Sequence, residues 1–223
     1  MIPVKICGIT NLDDALCAAQ SGARAVGFIF YRKSPRYVSP ELVKIIVQNL
    51  PRRMATVGVF VNEDAEKINE TVAFCGLDLI QLHGDETADF CRRFPSDRLI
   101  KAVSLQKESD IIVLRGYAVR AILIDSRDAG LYGGTGKTVD WKLAQEVKKS
   151  HPLILSGGLN AGNIRQAVEM TTPDAVDINS GVEISPGKKD HEKIKKIIEI
   201  IKKIGETMHS RLIGKREIFY KSR

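Results

Sequence analysis

The chain has 223 residues, of which 43% are hydrophobic and 27% charged, and this composition excludes an extensively disordered protein. No apolar run approaches the roughly 20 residues that a membrane-spanning helix needs, and the first ten residues lack the apolar core of a signal peptide. Length and composition therefore predict a cytoplasmic protein that makes no membrane contact and consists of one large domain or two small ones.

The net charge of +7 is concentrated at one end of the chain. Residues 187–223 carry 12 Lys and Arg against 5 Asp and Glu, whereas residues 1–186 carry 22 of each. A neutral body with a basic appendage fits a phosphate-binding protein as well as a nucleic-acid binder, and we expect no nucleic acid as partner.

The four cysteines and four histidines are scattered along the chain, without a CxxC pair or the spacing of a zinc site. No metal and no cofactor are predicted.

Eight short apolar runs predict eight strands. Most are continuous rather than alternating, which is typical of parallel strands covered on both faces. The runs are PVKIC (3–7), RAVGFIF (24–30), ATVGVFV (55–61), LDLIQLH (77–83), RLIKAVS (98–104), VRAILID (119–125), PLILSGG (152–158) and DAVDINS (174–180).

Helical patterns fill the intervals between these runs. The first begins near Asn11 and ends at Gly22, and Ser39-Pro40 predicts the cap and first residue of the second. The last begins near Asp190 and presents isoleucines along one stripe, with lysines opposite. The other helices are expected near 63–74, 86–94, 106–115, 140–149 and 161–170.

Eight strand–helix units in about 200 residues predict an α/β fold, a single (β/α)8 TIM barrel with an eight-stranded parallel sheet over residues 1–204. A doubly wound open sheet is the alternative, but a count of eight with no unit left over favours the barrel. Residues 205–223 follow the eighth predicted helix as a short basic C-terminal extension whose order the pattern does not predict.

Active sites of such barrels lie at the carboxyl ends of the strands. The residues that the predicted strands and their loops deliver there are Cys7, Arg36, His83, Asp125 and Asp177. The turns after strands 7 and 8 contain Gly157-Gly158 and Ser180-Gly181, where backbone N–H groups could bind a phosphate. Plain strand–helix turns are the alternative. GTGKT at 134–138 lacks the earlier glycine of a P-loop, so it is interpreted as a flexible loop that could close over substrate.

Cys7 and Asp125 could act as a pair, because a thiolate can serve as general base and a carboxylic acid as general acid. The alternatives are a buried small hydrophobic side chain for Cys7 and a carboxylate held by loop amides for Asp125. Arg36 could bind a carboxylate or phosphate of a ligand, or be a surface arginine. His83 could contact substrate or have a structural role.

Seven segments, taken in order, resemble the phosphoribosylanthranilate isomerase family of tryptophan biosynthesis from residue 3 to about residue 204. They are KICGIT, GFIFYRKSPRYVSPE, VGVFVN, QLHGDE, LIDS followed by GGTGKTVDW, LSGGLN, and DINSGVEISPGKKD. The extension is the departure from the family pattern.

The resemblance implies an Amadori rearrangement of N-(5-phosphoribosyl)anthranilate to 1-(o-carboxyphenylamino)-1-deoxyribulose 5-phosphate. Asp125 matches the general acid and Cys7 the general base, while Arg36 matches an arginine that holds the anthranilate carboxylate. His83 and Asp177 match pocket residues, and the phosphate site matches Gly157, Gly158, Ser180 and Gly181. The expected partner is a small phosphosugar substrate, and the protein is expected to be a monomer or a homodimer.

Two other functions remain as alternatives. The histidine-pathway isomerase performs the same rearrangement but is expected to use two aspartates, at the ends of strands 1 and 5, where this chain has Cys7 and Val103-Ser104. A non-catalytic nucleic-acid binder would depend on the basic extension and would lose its affinity when residues 205–223 are removed.

Overall fold

The computed structural model describes residues 1–125, 141–208 and 218–219. Within these ranges the chain forms a closed barrel of eight parallel strands in sequential order, in which β1 pairs with both β2 and β8. The predicted (β/α)8 barrel is thereby confirmed. The barrel strands are β1 Val4–Ile6, β2 Ala25–Ile29, β3 Ala55–Phe60, β4 Leu79–Leu82, β5 Leu99–Val103, β6 Ala121–Ile124, β7 Leu153–Leu155 and β8 Ala175–Ile178.

Helices alternate with these strands and cover the outside of the barrel. They are α1 Leu12–Ser21, α2 Pro40–Gln48, α3 Ala65–Cys75, α4 Ala88–Cys91, α5 Ser109–Leu114, α6 Trp141–Lys148, α7 Ile164–Thr171 and α8 His191–Thr207. Two further short strands, β9 Glu183–Ser185 and β10 Lys188–Lys189, form an antiparallel hairpin between β8 and α8 that the sequence did not predict.

The helix caps follow ordinary side-chain chemistry. Asn11 caps α1 by accepting a hydrogen bond from the amide of Asp14, and Ser39 caps α2, which begins at Pro40 as expected. Gly22 ends α1 with a φ of 107°, a left-handed conformation that glycine adopts without steric cost.

Helix α8 continues to Thr207, three residues past the expected domain boundary at residue 204. Near the end of this helix, Gly205 is buried and lies against the N-terminus of the chain. A Cβ at Gly205 would lie 3.2 Å from Cα of Met1, so a larger side chain would crowd this contact. None of the helices in the described ranges has the length and apolar character required to cross a bilayer.

Two apolar clusters hold the fold together. The larger fills the space between the strands and the surrounding helices, where every second residue of each strand points outward. The smaller lies inside the barrel and contains Val57, Leu79, Ile100, Leu123 and Ile154. Polar residues occupy the interior toward the carboxyl ends of the strands, so the barrel has an apolar half and a polar half.

Candidate active site

The carboxyl ends of the strands surround a pocket, which is where the active sites of such barrels lie. Seven of the nine residues expected at the site line it: Cys7, Arg36, His83, Asp125, Gly157, Gly158 and Asp177. The other two, Ser180 and Gly181, lie beside it in a short 3₁₀ helix after β8. The expected loop at 134–138 lies outside the described residues.

Glycine residues allow the turns after β7 and β8 to approach each other closely. Gly157 and Gly158 have φ angles of 86° and 62°, so each is in the left-handed region that other residues avoid. A Cβ at Gly181 would fall 1.9 Å from the carbonyl oxygen of Leu159, so only glycine permits this close approach. Within the described residues, no hydrogen bond occupies the amides of Gly157 and Gly158. Backbone donors on a pocket wall suit an anion.

A buried lysine stands beside Cys7. Lys5 lies in the middle of β1, is fully buried and donates hydrogen bonds to Asp177 Oδ2 at 2.8 Å and to Gln81 Oε1 at 2.9 Å. Gly27, on the neighbouring strand, makes room for it. A Cβ at Gly27 would lie 2.8 Å from Cys7 Sγ and 3.2 Å from Lys5 Nζ, so the thiol and the ammonium share the space above this glycine.

Burial and charge act in opposite directions on the Cys7 thiol. Burial, together with the carboxylate of Asp177, raises its pKa above the usual value, while the ammonium groups of Lys5 and Lys189 work to lower it. Burial alone would lower the pKa of Lys5, but the carboxylate of Asp177 and the thiolate of Cys7 together outweigh burial and raise that pKa. Lys5 is therefore a permanent cation next to the thiol.

A chain of hydrogen bonds leads from Lys5 to Asp125. The amide nitrogen Nε2 of Gln81 lies 2.8 Å from Nδ1 of His83, and Nε2 of His83 lies 3.2 Å from Oδ2 of Asp125. Cys7 and Asp125 therefore face the same pocket, and each has a defined polar neighbour inside the barrel.

Asp177 has one oxygen in use and one available. Its Oδ2 accepts the hydrogen bond from Lys5, whereas Oδ1 is the only buried side-chain nitrogen or oxygen in the described part of the chain without a hydrogen-bond partner. Since an unsatisfied buried acceptor costs about 1–3 kcal/mol, a ligand hydroxyl that donates to this oxygen would recover that energy.

Arg36 is held by the β9–β10 hairpin rather than exposed at the surface. Its Nε and Nη2 donate to Glu183 at 2.9 and 2.8 Å, and Lys189 Nζ donates to the same carboxylate at 2.9 Å. Although burial opposes the charge of Glu183, these two cations keep the pKa of its carboxyl below the usual value. A bidentate pair fixes the plane of the guanidinium at the pocket wall.

Sequence reasoning missed four residues of this site: Lys5, Gln81, Glu183 and Lys189. A signal existed for Lys5, because a lysine within the apolar run VKI requires a buried partner if the strand is covered on both faces. The other three gave no comparable signal. The described residues contain no group of histidine, cysteine and carboxylate side chains arranged to bind a metal ion.

Comparison with known proteins identifies the family. The family model described as "N-(5'phosphoribosyl)anthranilate (PRA) isomerase" matches residues 4–200. The N-(5'-phosphoribosyl)anthranilate isomerase of Syntrophus aciditrophicus is 50% identical over 214 residues, covering 95% of this chain and 93% of the relative.

Solved structures agree with this match. The crystal structure of the Thermotoga maritima phosphoribosyl anthranilate isomerase is 48% identical with a TM-score of 0.84 and covers 91% of this chain and all of that one. A second structure of such an isomerase, in complex with reduced 1-(o-carboxyphenylamino)-1-deoxyribulose 5-phosphate, is 45% identical with a TM-score of 0.80, at the same coverage. The chain therefore belongs to the N-(5'-phosphoribosyl)anthranilate isomerase family, whose members are isomerases of tryptophan biosynthesis.

Proposed function

We propose that this isomerase converts N-(5-phosphoribosyl)anthranilate to 1-(o-carboxyphenylamino)-1-deoxyribulose 5-phosphate, with Asp125 as general acid and Cys7 as general base. The observation that carries the assignment is that both side chains line one pocket, at the ends of strands β6 and β1. An acid and a base on different walls of one pocket can act on two atoms of one bound sugar.

The anionic groups of this substrate have matching positions around the pocket. The phosphate would bind the amides of Gly157 and Gly158, supported by the adjacent turn of Ser180 and Gly181. The anthranilate carboxylate would pair with Arg36, whose guanidinium is held in place by Glu183. Binding both ends of the substrate places the ribose between them.

Ring opening is the first step of the proposed mechanism. Asp125 donates a proton to the furanose ring oxygen, the bond between C1′ and that oxygen breaks, and the nitrogen lone pair forms a protonated Schiff base at C1′. The ring oxygen becomes the C4′ hydroxyl. Asp125 is then a carboxylate, and its Oδ2 lies 3.2 Å from Nε2 of His83, which can donate to it.

Proton removal from C2′ is the second step. The Cys7 thiolate takes this proton. The electron pair of the broken C2′–H bond forms the double bond of an enolamine, and the Schiff-base nitrogen becomes neutral. Lys5 stabilises the thiolate that must exist before this step. Tautomerisation then adds a proton at C1′ and removes one from the C2′ hydroxyl, which yields the ketone. Asp177 Oδ1 is free to accept a hydrogen bond from a sugar hydroxyl during these steps.

The decay of substrate fluorescence, with phosphoribosylanthranilate generated in situ, tests the reaction and both roles. We expect the native protein to accelerate the decay, and Cys7→Ser and Asp125→Asn each to lower kcat by roughly 10²–10⁴-fold. Cys17→Ser is the matched control, since Cys17 is a buried cysteine of α1 that does not line the pocket. Well-folded native protein without activity would contradict the proposed reaction, whereas full activity of either site variant would contradict that residue's role.

Three expectations stay predictions: the division at residue 204, the monomeric or homodimeric state, and the cytoplasmic location. Sedimentation at several protein concentrations distinguishes monomer from dimer.

A further inference from the structure

The polar interior of the barrel fixes the protonation pattern of a histidine. Lysine can only donate hydrogen bonds, so Gln81 must present its carbonyl oxygen Oε1 to Lys5 Nζ, 2.9 Å away. The amide nitrogen of Gln81 then faces Nδ1 of His83 at 2.8 Å and donates to it. An Nδ1 that accepts a hydrogen bond carries no proton, so neutral His83 carries its proton on Nε2.

The proton on Nε2 of His83 points at Asp125, the proposed general acid. Nε2 of His83 lies 3.2 Å from Oδ2 of Asp125, so the histidine donates to that oxygen. The acidic proton of Asp125 would clash with this donor if it also sat on Oδ2. Oδ1 is therefore the oxygen that can carry the proton to be transferred.

We propose that Lys5 and Gln81 are positioning residues that hold His83 as its Nε2–H tautomer and thereby confine the acidic proton of Asp125 to Oδ1. The proposal rests on the proposed function, because it assumes that Asp125 is the acid. It extends that function by assigning a task to two residues that act through His83.

The tautomer can be measured without turnover. In native protein with ¹⁵N-labelled histidine, long-range ¹H–¹⁵N spectra should report the Nε2–H form for His83, assigned by loss of its signals in His83→Asn. Gln81→Glu presents only acceptors to both neighbours, so His83 should become protonated at Nδ1. We expect kcat of Gln81→Glu to fall by about 10- to 100-fold, with KM changed less than threefold.

Failure of this proposal differs from failure of the reaction. Native protein with His83 protonated at Nδ1 would overturn the proposal, even if Asp125 were essential. An unchanged kcat in a Gln81→Glu protein whose His83 tautomer has switched would also overturn it. Absence of turnover in native protein would instead refute the proposed function and leave the tautomer result standing.

A second inference concerns the opposite end of the barrel, where the strands begin. Four strands have an alanine as their first residue, and each of these alanines is fully buried: Ala25, Ala55, Ala121 and Ala175. Barrel interiors are normally filled by bulky branched side chains, so these short side chains would leave a hollow below the apolar layer.

Two residues of the C-terminal extension occupy this position. Ile218 and Phe219 are 2% and 3% exposed and belong to the cluster that fills the barrel interior. Arg120, which immediately precedes β6, donates a hydrogen bond from Nε to the carbonyl oxygen of Ile218 at 2.5 Å. Helix α8 ends at Thr207, and Gly205 near its end contacts the N-terminus of the chain, so the extension starts at this end of the barrel.

We infer that Ile218 and Phe219 are a plug that completes the barrel core from outside the eight strand–helix units. The plug lies at the opposite end from the pocket, so its contribution is to stability and not to catalysis. This inference is independent of the proposed reaction.

Thermal unfolding of full-length variants tests the plug. Phe219→Ala should lower Tm by roughly 6–20 °C, since truncating a buried phenylalanine in a protein of this size has an effect of this order. Phe74→Ala is the matched control, because Phe74 is 46% exposed, and its Tm should change by less than about 2 °C. Both variants should keep native kcat/KM at 25 °C.

A reciprocal substitution tests where the side chain sits. Ala121→Leu should lower Tm in the native chain, where Phe219 fills the hollow, and raise it in Phe219→Ala, where the hollow is empty. Equal shifts in both backgrounds, or a Phe219→Ala loss no larger than that of the control, would overturn the plug. A concentration-dependent Tm that Phe219→Ala abolishes would also overturn it, because a second copy would then supply the plug.

Discussion

Gly27 provides the sharpest test of the geometry around Cys7. It lies in β2 and faces the barrel interior, where Gly27→Ala would place a Cβ 2.8 Å from both Cys7 Sγ and Lys5 Cε. These distances are about 1 Å shorter than ordinary contacts between such atoms. Because both neighbours are fully buried or nearly so, they cannot move into solvent, and the thiol and the ammonium must separate.

The expected effect follows from this overlap. Overpacking of this kind costs about 1–3 kcal/mol of stability, and a displacement of about 1 Å in a catalytic group lowers the rate by roughly 100-fold. We therefore expect Gly27→Ala to remain folded, with a lower Tm, and to lose about two orders of magnitude in kcat. The assay is the fluorescence decay of phosphoribosylanthranilate, measured with purified variants whose folding is verified by circular dichroism.

Gly58 offers a matched control on the adjacent strand. Gly58→Ala in β3 would also place a Cβ 2.8 Å from its neighbours, but these are Leu77 Cδ1 and Phe60 Cε2 on the outer side of the barrel. It should lose stability to a similar extent and keep its kcat within about threefold. Equal loss of kcat in the two variants, or native kcat in Gly27→Ala, would refute the reasoning.

Three further substitutions probe the charges of the site. Burial raises the pKa of Cys7 and Lys5 opposes this rise, so kcat/KM should increase with pH into the alkaline range. Lys5→Met should move the rising part of the pH profile to higher pH and lower kcat/KM at pH 7.5 about tenfold per pH unit of displacement. An unchanged pH profile would contradict a role for Lys5. Glu183→Gln should raise KM about tenfold with little change in kcat, because Arg36 loses its bidentate partner, and a lower KM would show that Glu183 competes with substrate. Asp177→Asn should lower kcat/KM by about 10- to 100-fold if Oδ1 accepts from a sugar hydroxyl, and native kinetics would exclude that contact.

The sequence predicted the strands better than the helices. All eight barrel strands lie within the apolar runs, since strands covered on both faces need continuous apolar residues. Helices α4 and α5 are shorter than the expected spans of 86–94 and 106–115. Charged and polar residues can extend a helical pattern into loops, where hydrogen bonds such as that from the amide of Gln106 to Oδ2 of Asp110 replace helical ones.

The residues around the pocket show where a linear pattern stops being informative. Cys7 and Asp125 were predictable because each follows an apolar run, and position at a strand end is a local property. The bond between Arg36 and Glu183 joins residues 147 positions apart through a hairpin that no apolar run indicated. Such pairs form only when the barrel closes, so local sequence periodicity does not predict them.

Closure of the barrel determines when the active site can form during synthesis and refolding. The ion pair between Lys5 and Asp177 spans 172 residues and joins the first strand to the last, so it can form only after almost the whole chain has left the ribosome. Contacts of such long range form slowly because the loop that they close costs entropy before they repay it. A nascent chain that ends before β8 has Cys7 but no carboxylate from Asp177 to anchor the neighbouring lysine. Recovery of activity during refolding should therefore follow the joining of β1 to β8, later than the recovery of helical circular dichroism.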